Sequence, residues 1–107
     1  MKKIQFGVFI ILAIACNPAK HEDSIKKWKN EILNTEKEFE ASALTEGIPT
    51  AFLTYAADNA VLQRNDTLII GKESIRIHYQ DWPANVTLTW NPDFVDVSSS
   101  GDLGYTY

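Results

Sequence analysis

The sequence predicts an α+β fold, in which helices dominate the first two thirds of the chain and longer strands follow. In residues 24–46 apolar side chains recur every three or four positions, which is the period of an amphipathic helix. From residue 85 onward they recur every second position, which is the period of a strand. Aromatic residues make up 11% of the chain, which favours a globular domain over a disordered one.

The chain begins with a stretch that is typical of an export signal. Lys2 and Lys3 precede residues 4–15, which are apolar except for Gln5. A charged start, an apolar run of about 7–15 residues and small residues at its end define a secretory signal peptide. A helix that spans a membrane needs about 20 residues. We therefore interpret residues 1–15 as a removable signal.

Cys16 is the only cysteine, and it follows Ala13-Ile14-Ala15 directly. This segment resembles a bacterial lipoprotein signal, although Ala13 stands where Leu is usual. The resemblance implies that Cys16 receives a lipid and becomes the new amino terminus. Several acyl chains together anchor a protein stably to a membrane. We expect an exported protein that is lipid-anchored to a bacterial cell membrane, namely the outer membrane. The sequence does not decide between the periplasmic and the surface face of that membrane. A plain signal with a free cysteine is the alternative.

The charge of the mature chain limits its partners. Removal of Lys2 and Lys3 with residues 1–15 leaves 92 residues, with eight Lys and Arg against fourteen Asp and Glu, a net charge of −6. An acidic domain repels phosphate backbones, so we expect no nucleic-acid partner. The chain also has no metal-ligand spacing and no phosphate-binding loop, so we expect neither a metal nor a cofactor.

A polar stretch and a long helix follow the cysteine. We interpret residues 16–23 as the lipid-attachment site and a tether, and residues 24–107 as the folded domain. Residues 24–46 form one helix in this prediction, and Gly47 caps its end. Glu36 and Glu40 interrupt the apolar stripe of that helix, which consists of Ile25, Trp28, Ile32, Phe39 and Ala43.

Shorter elements come next. Pro49 suits the first turn of a second helix that ends near residues 58–59. Residues 60–63 and 67–70 are strand candidates, joined by a turn at residues 64–66. Gly71 precedes a third helix, which runs from Lys72 to about Gln80.

The last part of the chain has the pattern of two strands. Apolar and polar residues alternate from residue 85, and the apolar phase flips after Pro92, which suggests a bend in one long strand. Residues 103–107 begin a returning strand. A sheet that stops there has an open aromatic edge, which proteins avoid. We therefore expect the domain to be incomplete, as a fragment truncated at its carboxyl end.

Four sequence strings support a family resemblance. They are AFLTYAADNAVL at residues 51–62, GKESI at 71–75, WNPDFVDV at 90–97 and SGDLGYT at 100–106. In this order they resemble the SnoaL-like, ketosteroid-isomerase-like domains of the nuclear transport factor 2-like superfamily, in a bacterial branch described as a domain of unknown function. The resemblance implies a cone, in which three helices pack on a curved antiparallel sheet and the open mouth is a pocket.

The catalytic residues of ketosteroid isomerases do not carry over. Those enzymes use a carboxylate base, a Tyr on the first helix and a protonated Asp from a later strand. The resemblance places Arg64 at the base position and Glu40 at the Tyr position, while the late Asp would lie beyond Tyr107. An arginine cannot act as that base, so isomerase chemistry of this type is not expected.

Two carboxylates remain as catalytic candidates. Asp58 follows an apolar helix, where capping or turn formation explains it as well as catalysis does. Asp96 lies between Val95 and Val97 and points to the opposite face, which either lines the cone or meets water. An enzyme of the same superfamily, such as an isomerase, lyase or hydrolase, is thus the alternative function.

Aromatic residues make the stronger case, for binding. In the family fold, five of them lie on elements that line the mouth: Tyr55, Tyr79, Trp82, Trp90 and Phe94. Ligand pockets are mostly apolar, although core packing explains large aromatic residues equally well. The sequence therefore predicts a membrane-tethered module that binds a small apolar or amphipathic molecule. The resemblance also allows a homodimer.

Overall fold

The computed structural model describes residues 18–107, which form three helices and two antiparallel hairpins. The helices are α1 (Pro18–Thr45), α2 (Ile48–Tyr55) and α3 (Lys72–Tyr79). The strands are β1 (Val61–Arg64), β2 (Thr67–Ile70), β3 (Val95–Val97) and β4 (Gly104–Thr106). The predicted α+β class is confirmed. The predicted signal, residues 1–15, and the predicted lipid-attachment residue Cys16 lie outside the described residues.

Helix α1 begins six residues earlier than the sequence pattern predicts. Residues 18–23, which we expected to form a tether, are exposed turns of α1 in the structure. Pro18 suits a first helical turn, and the Ser24 hydroxyl donates to the Lys20 carbonyl at 3.0 Å. Polarity alone therefore does not distinguish a solvated helical turn from an irregular linker. No helix in residues 18–107 combines the length and apolar character needed to cross a membrane.

The core lies where the three helices meet. Gly47 has a φ of 95° and joins α1 to α2, whose first turn contains Pro49 as predicted. The buried residues are Ala43, Ile48, Ala51, Ile75 and Tyr79. Small side chains on α1 and α2 let these helices approach closely, and α3 covers them with Ile75, which is fully buried.

Strands β1 and β2 form the predicted hairpin, with Leu62 opposite Ile69. Its two turn residues, Asn65 and Asp66, have φ values of 48° and 61°. Positive φ at both central positions defines the type I′ turn, whose twist matches that of the flanking strands. Only Gly71 separates the hairpin from α3. The N–H of Gly71 donates to the Ala60 carbonyl at 2.8 Å, which closes the base of the hairpin.

The second hairpin differs from the prediction of a long bent strand. Strand β3 begins at Val95 and pairs with β4, and the backbones of Asp93 and Phe94 bond to that of Tyr107. Residues 85–92 lie in no strand. The N–H of Trp90 donates to the Glu40 carboxylate instead of to a neighbouring strand. Because the ladder of backbone hydrogen bonds defines a strand, alternation without a partner leaves this segment irregular. The two hairpins are separate sheets, where the resemblance implies one curved sheet.

Candidate functional site

A cavity of about 540 Å³ lies between α1, the end of α2 and the turn that joins β3 to β4. Helix α1 contributes one wall from Trp28 to Phe39, and α2 contributes Phe52 and Tyr55. Val97 and residues 101–104 line another side. Pockets of about 300–1,000 Å³ with largely apolar walls are typical of small-molecule sites.

The aromatic part of the cavity wall is built around Phe39. Its ring centre lies 4.9 Å from that of Tyr55, in a stacked arrangement, and 5.0 Å from that of Phe52, edge to face. Trp90 packs edge-on against the same ring at 4.8 Å. Such pairs hold one another in defined orientations, so the aromatic surface that faces the cavity is preorganised.

Glu36 fixes the polar part of the same wall. Its Oε2 accepts a hydrogen bond of 2.8 Å from Nε1 of Trp90, and its Oε1 accepts one of 3.0 Å from the hydroxyl of Thr106. One helical turn later, Oε1 of Glu40 accepts the 3.0 Å bond from the backbone N–H of Trp90. Hydrogen bonds to an ionised carboxylate are stronger than neutral ones. These two side chains therefore attach the irregular segment and β4 to α1.

The turn at residues 98–103 forms the rim of the cavity and packs on Trp28. The hydroxyls of Ser98 and Ser100 each donate to Oδ1 of Asp102 at 2.6 Å. These hydrogen bonds hold the pKa of the Asp102 carboxyl below its ordinary value, and the bond from Ser100 has the larger effect. A Cβ on Gly101, which has a φ of 73°, would lie 2.6 Å from the Trp28 ring. The close approach of turn and indole thus requires a glycine here.

The five aromatic residues predicted to bind a ligand are placed in different environments. Tyr55 lines the cavity, and Trp90 supports its wall through Phe39 and Glu36. Tyr79 is buried in the core with 3% exposure, and Trp82 packs edge-on against it. Phe94 packs on Tyr107, away from the cavity lining. The structure therefore brings one of the five to the cavity surface.

The two candidate catalytic carboxylates lie outside the cavity lining. Asp58 is exposed, and its backbone carbonyl accepts the N–H of Lys72 at 3.0 Å. Asp96 forms an ion pair of 2.9 Å with Nζ of Lys29 on α1. The Lys29 hydrogen bond, and after it the bond from the N–H of Val97, lower the pKa of Asp96. The Asp96 carboxylate is therefore held in an ion pair, and neither Asp58 nor Asp96 belongs to the cavity lining.

Sequence reasoning missed the carboxylates that line the cavity, which are Glu31, Glu36 and Asp102. The signal for Glu36 was present, because it interrupts an apolar helical stripe and half-buried carboxylates need partners. The partners of Glu36 come from distant segments that carry no local pattern. Within residues 18–107, no three His, Cys, Asp or Glu side chains are grouped closely enough to hold a metal ion.

No protein-family model, curated protein or solved structure matches the chain.

Proposed function

We propose that this chain is a membrane-tethered SnoaL-like domain that binds a small apolar or amphipathic molecule in the cavity beside α1. The single observation that carries the proposal is a cavity of about 540 Å³ whose wall includes Phe39, Phe52 and Tyr55. An apolar ligand placed there would leave water and meet preorganised aromatic rings. The order of helices and hairpins supports the cone-shaped fold of the nuclear transport factor 2-like superfamily.

A cavity-filling substitution tests the binding function. Ala56 lines the cavity at the end of α2, whereas the neighbouring Ala57 is exposed and does not line it. We expect the full chain, purified from a bacterial host in its processed form, to bind the apolar dye Nile red saturably. Ala56→Leu should weaken this binding, because its side chain takes ligand volume, and Ala57→Leu is the matched control.

The outcome is decisive only if both variants fold. Urea unfolding of the parent and the two variants should give similar midpoints, which separates a blocked cavity from a damaged fold. Equal dye affinity in Ala56→Leu and Ala57→Leu would place binding elsewhere and reject this cavity. An absence of saturable binding in the parent would reject the binding function itself.

The membrane tether is part of the proposal and rests on the sequence of residues 1–16. The expected product lacks residues 1–15 and carries acyl chains on Cys16. Radiolabelled fatty acid should be incorporated into the parent, and Cys16→Ser should abolish the incorporation. Intact-mass measurement of the purified protein checks both features, and a mass that corresponds to a free thiol at position 16 would contradict the anchor.

An enzymatic function has weaker support from the same geometry. Catalysis by acid and base requires a titratable group that is free to exchange a proton with the ligand. Glu36 is the half-buried carboxylate in the cavity wall, but each of its oxygens already accepts a hydrogen bond, from Trp90 and from Thr106. This arrangement suits a residue that supports the wall, and it favours binding over turnover.

A further inference from the structure

The charges on the cavity wall have a single sign. The carboxylates of Glu31, Glu36 and Asp102 line the cavity, and no Lys, Arg or His among residues 18–107 lines it. Of these three carboxylates, Glu31 forms an ion pair with Lys27, at 3.8 Å between exposed side chains. Exposed pairs of this kind contribute little. The side chains that line the cavity therefore have a net negative charge.

The negative charge at the rim is secured by the local structure. Oδ1 of Asp102 accepts hydrogen bonds from two hydroxyls, those of Ser98 and Ser100. Because these bonds stabilise the ionised form, the pKa of Asp102 is held below its ordinary value. The carboxylate therefore stays charged in mildly acidic as well as neutral solution.

The aromatic rings of the wall add a second attraction for positive charge. Trp28, Phe39, Phe52 and Tyr55 line the cavity, and the face of an aromatic ring attracts a cation within about 6 Å of its centre. The chain itself provides an example, since the guanidinium carbon of Arg64 lies 5.7 Å from the ring centre of Phe52. Arg64 does not belong to the cavity lining. Carboxylates and aromatic faces together are the chemistry that recognises an organic ammonium group.

We infer that the ligand of this cavity is a cationic amphiphile, in which an ammonium-type headgroup is joined to an apolar body. This inference rests on the proposed binding function and names the ligand class. The apolar body lies against the Phe39, Phe52 and Tyr55 wall, and the cationic group lies toward the carboxylates of α1 and the rim. An anionic amphiphile of the same length is disfavoured, because its headgroup would meet charges of the same sign.

Three probes with the same ten-carbon chain test the inference. They are decyltrimethylammonium, the neutral decyl maltoside and decanoate, each used below its micelle-forming concentration and titrated into the processed full chain by calorimetry. We expect decyltrimethylammonium to bind at least about tenfold more tightly than decanoate. The preference should shrink as salt is raised, because salt screens exposed charges.

A pair of matched variants separates the cavity charges from the overall acidity of the chain. Glu31 lines the cavity, whereas Glu38 is an exposed carboxylate on α1 that does not. Glu31→Gln and Glu38→Gln change the net charge equally. Glu31→Gln should weaken decyltrimethylammonium binding by about twofold to fivefold, and Glu38→Gln should leave it nearly unchanged.

The outcomes distinguish this inference from the function on which it rests. If maltoside and decanoate bind as tightly as the ammonium probe and Ala56→Leu blocks all three, the binding function stands and the inference is overturned. If the two Gln variants weaken binding equally, the preference comes from overall charge, and the inference is also overturned. If none of the probes binds, both proposals fail.

Discussion

Nε1 of the Trp90 indole donates a 2.8 Å hydrogen bond to Oε2 of Glu36, and the two residues are separated by 54 positions in the chain. The backbone N–H of Trp90 also donates to Glu40, on the same face of α1. Since the other oxygen of Glu36 accepts the Thr106 hydroxyl, one carboxylate joins α1, the irregular segment before β3 and strand β4. This network positions one side of the cavity.

Replacing Trp90 with Phe tests the contribution of the indole N–H. The variant keeps an aromatic ring against Phe39 but removes the donor to Glu36, and a half-buried charged acceptor loses a partner. We expect the free energy of unfolding in urea to fall by about 1–3 kcal/mol. Trp82→Phe is the control, because that ring packs against Tyr79 outside this network. Similar losses in the two variants would show that ring size, not the hydrogen bond, determines the effect.

The ion pair of Asp96 with Lys29 predicts a pH dependence of stability. The folded-state pKa of Asp96 lies below its ordinary value of 3.8. The contribution of the ionised Asp96 to the free energy of unfolding is therefore complete above pH 3.8. It is lost as the pH falls through the lower folded-state pKa. We expect Asp96→Asn to be less stable than the parent at neutral pH, with a difference that shrinks in strong acid. Urea midpoints measured from neutral pH to about pH 2.5 check this.

The matched control for this prediction is Asp81→Asn, since Asp81 is an exposed carboxylate outside the helices and strands. Its stability should follow that of the parent across the same pH range. A difference between Asp96→Asn and the parent that stays constant down to the lowest pH would contradict a role for the ionised carboxylate.

A methyl group at Gly101 should disturb the rim of the cavity. The Cβ of Gly101→Ala would lie 2.6 Å from Cη2 of Trp28, at a backbone φ of 73° that L residues avoid. We expect a loss of about 2–3 kcal/mol in the free energy of unfolding. Gly71 also has a positive φ, of 85°, but a Cβ there would meet its nearest atom at an ordinary 3.6 Å.

Gly71→Ala therefore isolates the backbone strain from the contact with the indole. With a ψ of 152°, Gly71 lies in a region almost exclusive to glycine, so the expected loss is about 1–3 kcal/mol. Chemical denaturation measures both variants, and the excess loss in Gly101→Ala reports the contact with Trp28. Equal losses would mean that the turn moves away from the indole without cost.

The β1–β2 turn offers a stabilising substitution. Asp66 is the second central residue of a type I′ turn and has a φ of 61°, a position where glycine is preferred. Asp66→Gly should raise the free energy of unfolding by about 0.5 kcal/mol, since relief of strain outweighs the added freedom of the unfolded chain. Asp66→Val should lower it by about 1–2 kcal/mol. Thermal denaturation checks the order of the three proteins, and a lower melting temperature for Asp66→Gly would contradict the turn assignment.

The sequence predicted elements whose signals are local. Strand β2 occupies residues 67–70 as predicted, and the Asn65-Asp66 turn chemistry located its hairpin. Helix α3 begins at Lys72, after Gly71, as predicted. Each of these depends on residue types within a few positions of one another, which is the range over which propensity and turn chemistry act.

The failed strand over residues 85–91 shows the limit of such signals. Val86, Leu88 and Trp90 alternate as in a strand, but alternation describes which way side chains point, and pairing depends on what lies beside the backbone. Val86 and Leu88 are each 42% exposed. The cavity wall could not be predicted for the same reason. The hydrogen-bond partners of Glu36 are Trp90 and Thr106, which lie far from it in the sequence.

The early start of α1 affects the distance between the predicted lipid anchor and the cavity. Only Asn17 separates Cys16 from Pro18, the first residue of the helix. The cavity wall begins at Trp28, which is ten residues along α1 and therefore about 15 Å from its start. If Cys16 carries the anchor, the distance between the cavity and the lipid headgroups would depend on the tilt of α1 against the membrane.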